Sequence, residues 1–108
     1  MTKNKTYEEV VGILTTKPAV QAGVMFGMPC IKVKGKAFSG LWENKLVLKI
    51  GEDRTQALIK TQLGQPFDPG MGRPMREWVL VAEPKTGAKQ KWLALAEEAQ
   101  QFVEARIR

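Results

Sequence analysis

The residues best placed to do chemistry in this chain are basic ones. Lys32, Lys34, Lys45 and Lys49 fall in one run, Val24 to Ile50, in which apolar and charged residues alternate, and Arg73 and Arg76 follow it. In an extended chain successive side chains point to opposite faces. That alternation sets Lys32, Lys34 and Lys49 on the face opposite Ile31, Val33, Leu46 and Leu48. Lys45 sits beside a turn, and the two arginines sit on a loop and the strand after it. A basic sheet face of this kind touches phosphate oxygens without reading bases. Lys32, Lys34, Lys45, Lys49, Arg73 and Arg76 are therefore the candidate nucleic-acid contacts. Aromatic side chains interleaved with them, which single-stranded RNA recognition needs, are missing. Lysines on strands also discourage edge-to-edge pairing, so nucleic acid ranks second among the expected partners.

The first-ranked expectation is an unidentified protein partner, or a second copy of the chain in a weak homodimer. Methionine adapts to irregular partners, and Met25, Met28 and Trp78 are the candidate protein contacts. Phe26, between the two methionines, is assigned to the core. A homodimer would form through an uncovered sheet face carrying Met75, Trp78 and Leu80, or along a strand edge.

Catalytic chemistry has little to build on. Histidine is absent, which removes the commonest general base near neutral pH and the commonest metal ligand. The acidic residues Glu8-Glu9, Glu52-Asp53 and Glu97-Glu98 are adjacent pairs, and neighbours in sequence do not converge on one helix face. Cys30 is the only cysteine. With no histidine partner it reads as a small buried hydrophobe. Neither the glycines at 23 and 27 nor the glycine-rich stretch at 64–72 spells a phosphate-binding fingerprint. No enzyme activity, metal or cofactor is expected.

The elements that must position these residues follow from local pattern. Residues 6–16 read as a helix capped by Thr6, with Glu9 at capping-box spacing and Tyr7, Val10, Val11 and Leu14 on one face. Residues 20–28 read as one irregular strand. Residues 30–34, 37–42 and 46–50 form a β-meander joined by tight turns at 34–36 and 43–45. Within 37–42, Phe38, Gly40 and Trp42 share a face. Asp53 caps a helix over 54–63, whose apolar members are Ala57, Leu58 and Leu63. Residues 64–74 form a loop pinned by Phe67, with a mobile tip. Residues 75–81 are a strand with two semi-apolar faces. A last helix, from 86 or 87 to 106, carries the stripe Trp92, Leu95, Ala96, Ala99, Phe102 and Val103. The reading is α+β in two layers, an antiparallel meander sheet packed against helices, in the order α-β-β-β-β-α-β-α. Trp92, Leu95, Ala99 and Phe102 are expected against Ile31, Val33, Leu46 and Leu48.

Several of these residues together resemble a known family. They are Met25-Phe26-Gly27, the following hairpin with Gly35-Lys36-Ala37-Phe38, the strand Leu46-Val47-Leu48-Lys49, Arg54 opening the next helix, Pro66-Phe67 before the glycine loop, and Met75 with Trp78. Their order resembles the N-terminal domain of the bacterial competence regulator TfoX over about residues 8–83, and the C-terminal helix would complete the domain. The resemblance implies a YjbR-like or secretion-chaperone-like fold and offers no catalytic residues to carry over. In the full-length regulator a helical domain follows, for which this chain leaves no room, so a competence-linked role is not carried over. Pro29 stands where members often have a glycine-containing turn.

Length and composition fit one domain over 1–108, large enough for a core of its own. The net charge of +6 makes the protein basic and raises encounter rates with polyanions. No stretch approaches the length of a membrane span, so no membrane partner is expected. With one cysteine and no apolar leader, the expected compartment is the cytoplasm.

Overall fold

The computed structural model describes residues 4–70 and 72–107. The elements are α1 (Lys5–Leu14), β1 (Val20–Met25), β2 (Met28–Val33), β3 (Lys36–Trp42), β4 (Lys45–Lys49), α2 (Glu52–Lys60), β5 (Gln65–Pro66), β6 (Trp78–Val81) and α3 (Ala88–Ala105). All strands join one antiparallel six-stranded sheet in the order β1-β2-β3-β4-β6-β5. The expected α+β meander holds, with one addition. Gln65-Pro66, read as loop, pairs with Leu80 and Val79 of β6 as a two-residue edge strand. Two residues carry no periodicity, so this strand has no signature of its own. Of the loop over 64–74, whose tip was expected to be mobile, Met71 lies outside the described residues.

Three consecutive two-residue turns build the meander. Phe26-Gly27, Lys34-Gly35 and Glu43-Asn44 all have positive φ, between 50° and 81°. That is the type I′ geometry whose twist matches flanking antiparallel strands. The first turn corrects the single strand expected over 20–28: Met25 pairs with Met28, and the chain reverses between them. A phenylalanine in the left-handed position hid the turn, because that position favours Gly, Asn or Asp.

A β-bulge corrects the faces assigned to β3. The β2–β3 register shifts between Ile31 and Lys32, which pair with Ser39 and Ala37, so Phe38 is the extra residue. Alternation breaks there. Phe38 joins Leu41, Ile31 and Leu48 in the main core, while Trp42 packs with the cluster on the other face. Ser39 is fully buried, and its hydroxyl donates to the Val47 carbonyl at 2.9 Å. Gly40 is required by a close approach: a Cβ there would lie 2.7 Å from the Pro29 carbonyl oxygen.

Two helix starts also differ from expectation. Asn4, not Thr6, caps α1, its side-chain oxygen accepting from the Tyr7 N–H at 2.9 Å. Thr6 instead donates to Glu83 at 2.8 Å, and the Asn4 amide donates to the same carboxylate at 3.1 Å. Helix α2 starts two residues earlier than predicted, after Gly51 and with no side-chain cap. Glu52 and Asp53 lie in its first turn, where they complement the helix dipole. Leu63 is not in this helix and stands 64% exposed.

The main core lies between the sheet and α1 and α3. Tyr7, Val10 and Leu14 of α1 and Trp92, Ala96, Ala99 and Val103 of α3 bury against Ile31, Val33, Leu46 and Leu48. Leu95 and Phe102, expected at the centre of the stripe, flank it half-buried. Ala96 and Ala99 take the central positions, where small side chains let the helix sit close to the sheet.

Candidate functional site

The structure sets the six basic residues in several different surroundings. Lys34 occupies a turn, with its ammonium 3.9 Å from Glu104 of α3, so it points to the helix side of the sheet. This corrects its placement beside Lys32 and Lys49. Lys32 lies flat over β1: a Cβ on Gly23 would touch its side chain at 3.1 Å. Lys49 sits over the Trp78 ring, 5.9 Å from the centroid. Lys45 is at the other end of β4, donating to the Gln65 side chain at 3.1 Å. Arg73 and Arg76 line a cleft against α2.

The methionine and tryptophan candidates fare differently from one another. Met28 is 3% exposed and Trp78 8%, so neither projects from the surface as a docking residue, and what Trp78 leaves uncovered borders the cleft against α2. Both belong to a second apolar cluster with Val47, Phe67 and Leu80, and Met25 and Met75 pack half-buried against it. The Phe67 ring is fully buried between two indoles, 5.8 Å from Trp42 edge-on and 6.1 Å from Trp78. The sheet face expected to be open for a homodimer is thus covered by the chain's own loop.

Apart from Leu63, the large apolar residues that stand exposed among the described ones lie at the first hairpin. Val24 is 67% and Phe26 54% exposed, which corrects the assignment of Phe26 to the core. Strand β1 is the outermost strand on its side of the sheet. Its six residues, VQAGVM, contain no charge and no proline, so the devices that blunt an edge strand are absent from it. The dipeptide Phe26-Gly27 was the one signal in the sequence that could have located this surface. Read as a I′ turn, it places Phe26 at a tip rather than in a strand.

The groups that could do covalent or acid–base chemistry are shut away. Burial pushes the Cys30 thiol above its ordinary range, against a smaller opposing pull from Lys32. Such a thiol is not an activated nucleophile. Burial likewise raises the Tyr7 phenol, with a further push from Cys30. Among the described residues no group of three acidic or cysteine side chains converges to hold a metal ion. Nor is any described helix long and apolar enough to cross a membrane.

The family model of the TfoX N-terminal domain matches residues 13–103, which takes in the whole sheet and nearly all of α3. No curated protein matches the chain.

Proposed function

The chain belongs to the TfoX N-terminal domain family, and from that premise we propose that it is a non-catalytic, regulatory protein-interaction domain of the cytoplasm. Its contact surface is the free edge of β1 together with the hairpin tip beside it. One observation carries this reading: Phe26 holds a left-handed backbone, φ 50°, while the residue stays 54% exposed. A bulky residue there costs roughly 1 kcal/mol and returns no core packing. Folding therefore gives no reason for an aromatic at this tip, whereas binding does. An extended segment added to β1 would complete its unpaired hydrogen bonds and cover Val24 and Phe26. The segment can come from another protein or from a second copy, the edge-paired form of the homodimer.

The test is site-specific photo-crosslinking in cells with the reactive group at Phe26, compared with the same group at exposed Lys60. Discrete adducts at Phe26 that vanish when Val24→Lys is introduced are expected. Equal labelling at both positions, with a constant monomer mass in sedimentation equilibrium, would remove the surface.

The second reading is weak, sequence-independent nucleic-acid binding. It draws support from the net charge of +6. Titration of mixed DNA and RNA against the chain and a Lys32/Lys34/Lys49 triple glutamate variant tests it. Binding that survives near-physiological salt and disappears in the variant would reverse the order of the two readings.

A further inference from the structure

We propose that the cleft between α2 and the segment before β6 binds a small molecule joining an anionic group to a flat apolar body. The cleft has a volume of about 410 Å³ and is lined by Ile59, Met75 and Trp78, with Arg73 and Arg76 beside them. That volume and mixture of apolar lining with a few polar groups is what small-molecule sites have.

The two arginines are the reason for an anion. Arg54 and Arg106 are each held by a glutamate at 2.8 Å. Among the described residues Arg73 and Arg76 have no such carboxylate, although both reach the same cleft. Both arginines are exposed on this one cleft, and an anion entering it would meet positive charge with no carboxylate competing for it. Guanidinium also pairs in bidentate fashion with carboxylate and phosphate oxygens.

The segment that carries the arginines is tied down. Between them Pro74 restricts the backbone. The Met75 N–H donates to the Phe67 carbonyl at 2.9 Å, and the Trp78 N–H donates to the Met75 carbonyl at 3.0 Å. Phe67 is itself anchored between two indoles. The arginines are thus presented from a fixed platform, which lowers the ordering cost of binding.

A second, independent observation lies on the opposite wall. Thr55 of α2 lines the cleft, is 2% exposed, and its hydroxyl has no hydrogen-bond partner among the described residues. Leaving a buried hydroxyl unpaired costs about 1–3 kcal/mol; the oxygen is itself shut off from the cleft's solvent, so a ligand oxygen pairs with it, and removes that cost, only when the α2 wall gives way around it. The indole of Trp78 and the thioether of Met75 favour a flat apolar body for the remainder of the ligand.

The test is an NMR titration of the full chain, read at the Trp78 indole and the Thr55 amide. Phenyl phosphate and benzoate serve as anionic probes, benzyl alcohol as the neutral one, and inorganic phosphate as the anion without a body. Saturable shifts are expected for phenyl phosphate or benzoate with a Kd of about 1 mM or tighter. Benzyl alcohol and inorganic phosphate should each bind at least about tenfold more weakly, and Arg73→Gln and Arg76→Gln should each cost about tenfold. Thr55→Val keeps the shape, removes the hydroxyl and should weaken the anion by about threefold. An unchanged Trp92 indole signal reports that each variant keeps its main core. Equal binding of benzyl alcohol, undiminished binding in both arginine variants, or no saturable shift with any probe would overturn the proposal.

Discussion

The two faces of the sheet are closed by different means. On one, α1 and α3 lay regular apolar stripes across Ile31, Val33, Leu46 and Leu48. On the other, Val47, Met28, Trp78 and Leu80 are covered by an irregular segment whose anchor is one aromatic ring, Phe67. Alternation made both faces apolar, but only one received a helix. Covering a face with a loop leaves gaps a helix would fill, and the arginine-lined cleft is such a gap. The helix face stores stability, whereas the loop face trades some of it for a concave surface.

The largest effect should come from the helix face. Trp92 is fully buried, and its indole N–H donates to the Ala82 carbonyl at 3.3 Å. Trp92→Ala should cost about 4–5 kcal/mol and lower hydrogen-exchange protection throughout the sheet. A loss below about 1 kcal/mol in denaturant melts would show that α3 is not the main support.

Phe67→Ala should cost less, about 3 kcal/mol, and act locally. Hydrogen exchange should quicken first at residues 65–70 and 72–78, with β2 and β3 nearly unchanged. Uniform loss of protection across both faces would erase the distinction between them.

Alkali separates the faces in another way. Tyr7 is the only tyrosine, it is buried on the helix face, and its hydroxyl has no hydrogen-bond partner among the described residues. Burial raises its folded-state pKa above the unfolded value of 10.0. The neutral phenol is therefore favoured by folding. Its contribution is fully present below about pH 10 and is lost as pH rises beyond it. Stability should fall above that pH in the native chain and fall less in Tyr7→Phe. Absorbance titration reads this one phenol directly, and ionisation near the ordinary tyrosine value in the folded chain would refute its burial.

The smallest expected effect is a gain, at a tip that belongs to neither face. Phe26→Asn should stabilise the hairpin by about 0.5–1 kcal/mol, since asparagine accepts a left-handed backbone. The same change should abolish crosslinking through this surface. A destabilisation would mean that the Phe26 ring packs against the fold after all.

How much was legible in the sequence divides along physical lines. Local pattern sufficed wherever an element's own residues decide its shape. Leu46, Leu48 and Ile50 alternate with Val47 and Lys49, Asn44 and Gly35 mark turns, and Trp92 to Val103 trace a helical stripe. Together with the order of family motifs, this established the α+β meander and its helix-covered core. Tertiary structure alone decided the rest. Alternation shows that a strand has two faces, but not what will cover each, because that depends on partners distant in sequence. Phe38 leaves the alternation because its register with Ile31 and Lys32 inserts a bulge. Gln65-Pro66 is a strand only because β6 lies beside it. Met28 and Trp78 are buried because Phe67 reaches back over them. Arg73 and Arg76, read in the sequence as parts of one lysine-rich surface, meet Thr55 only once α2 and the loop fold onto the same edge.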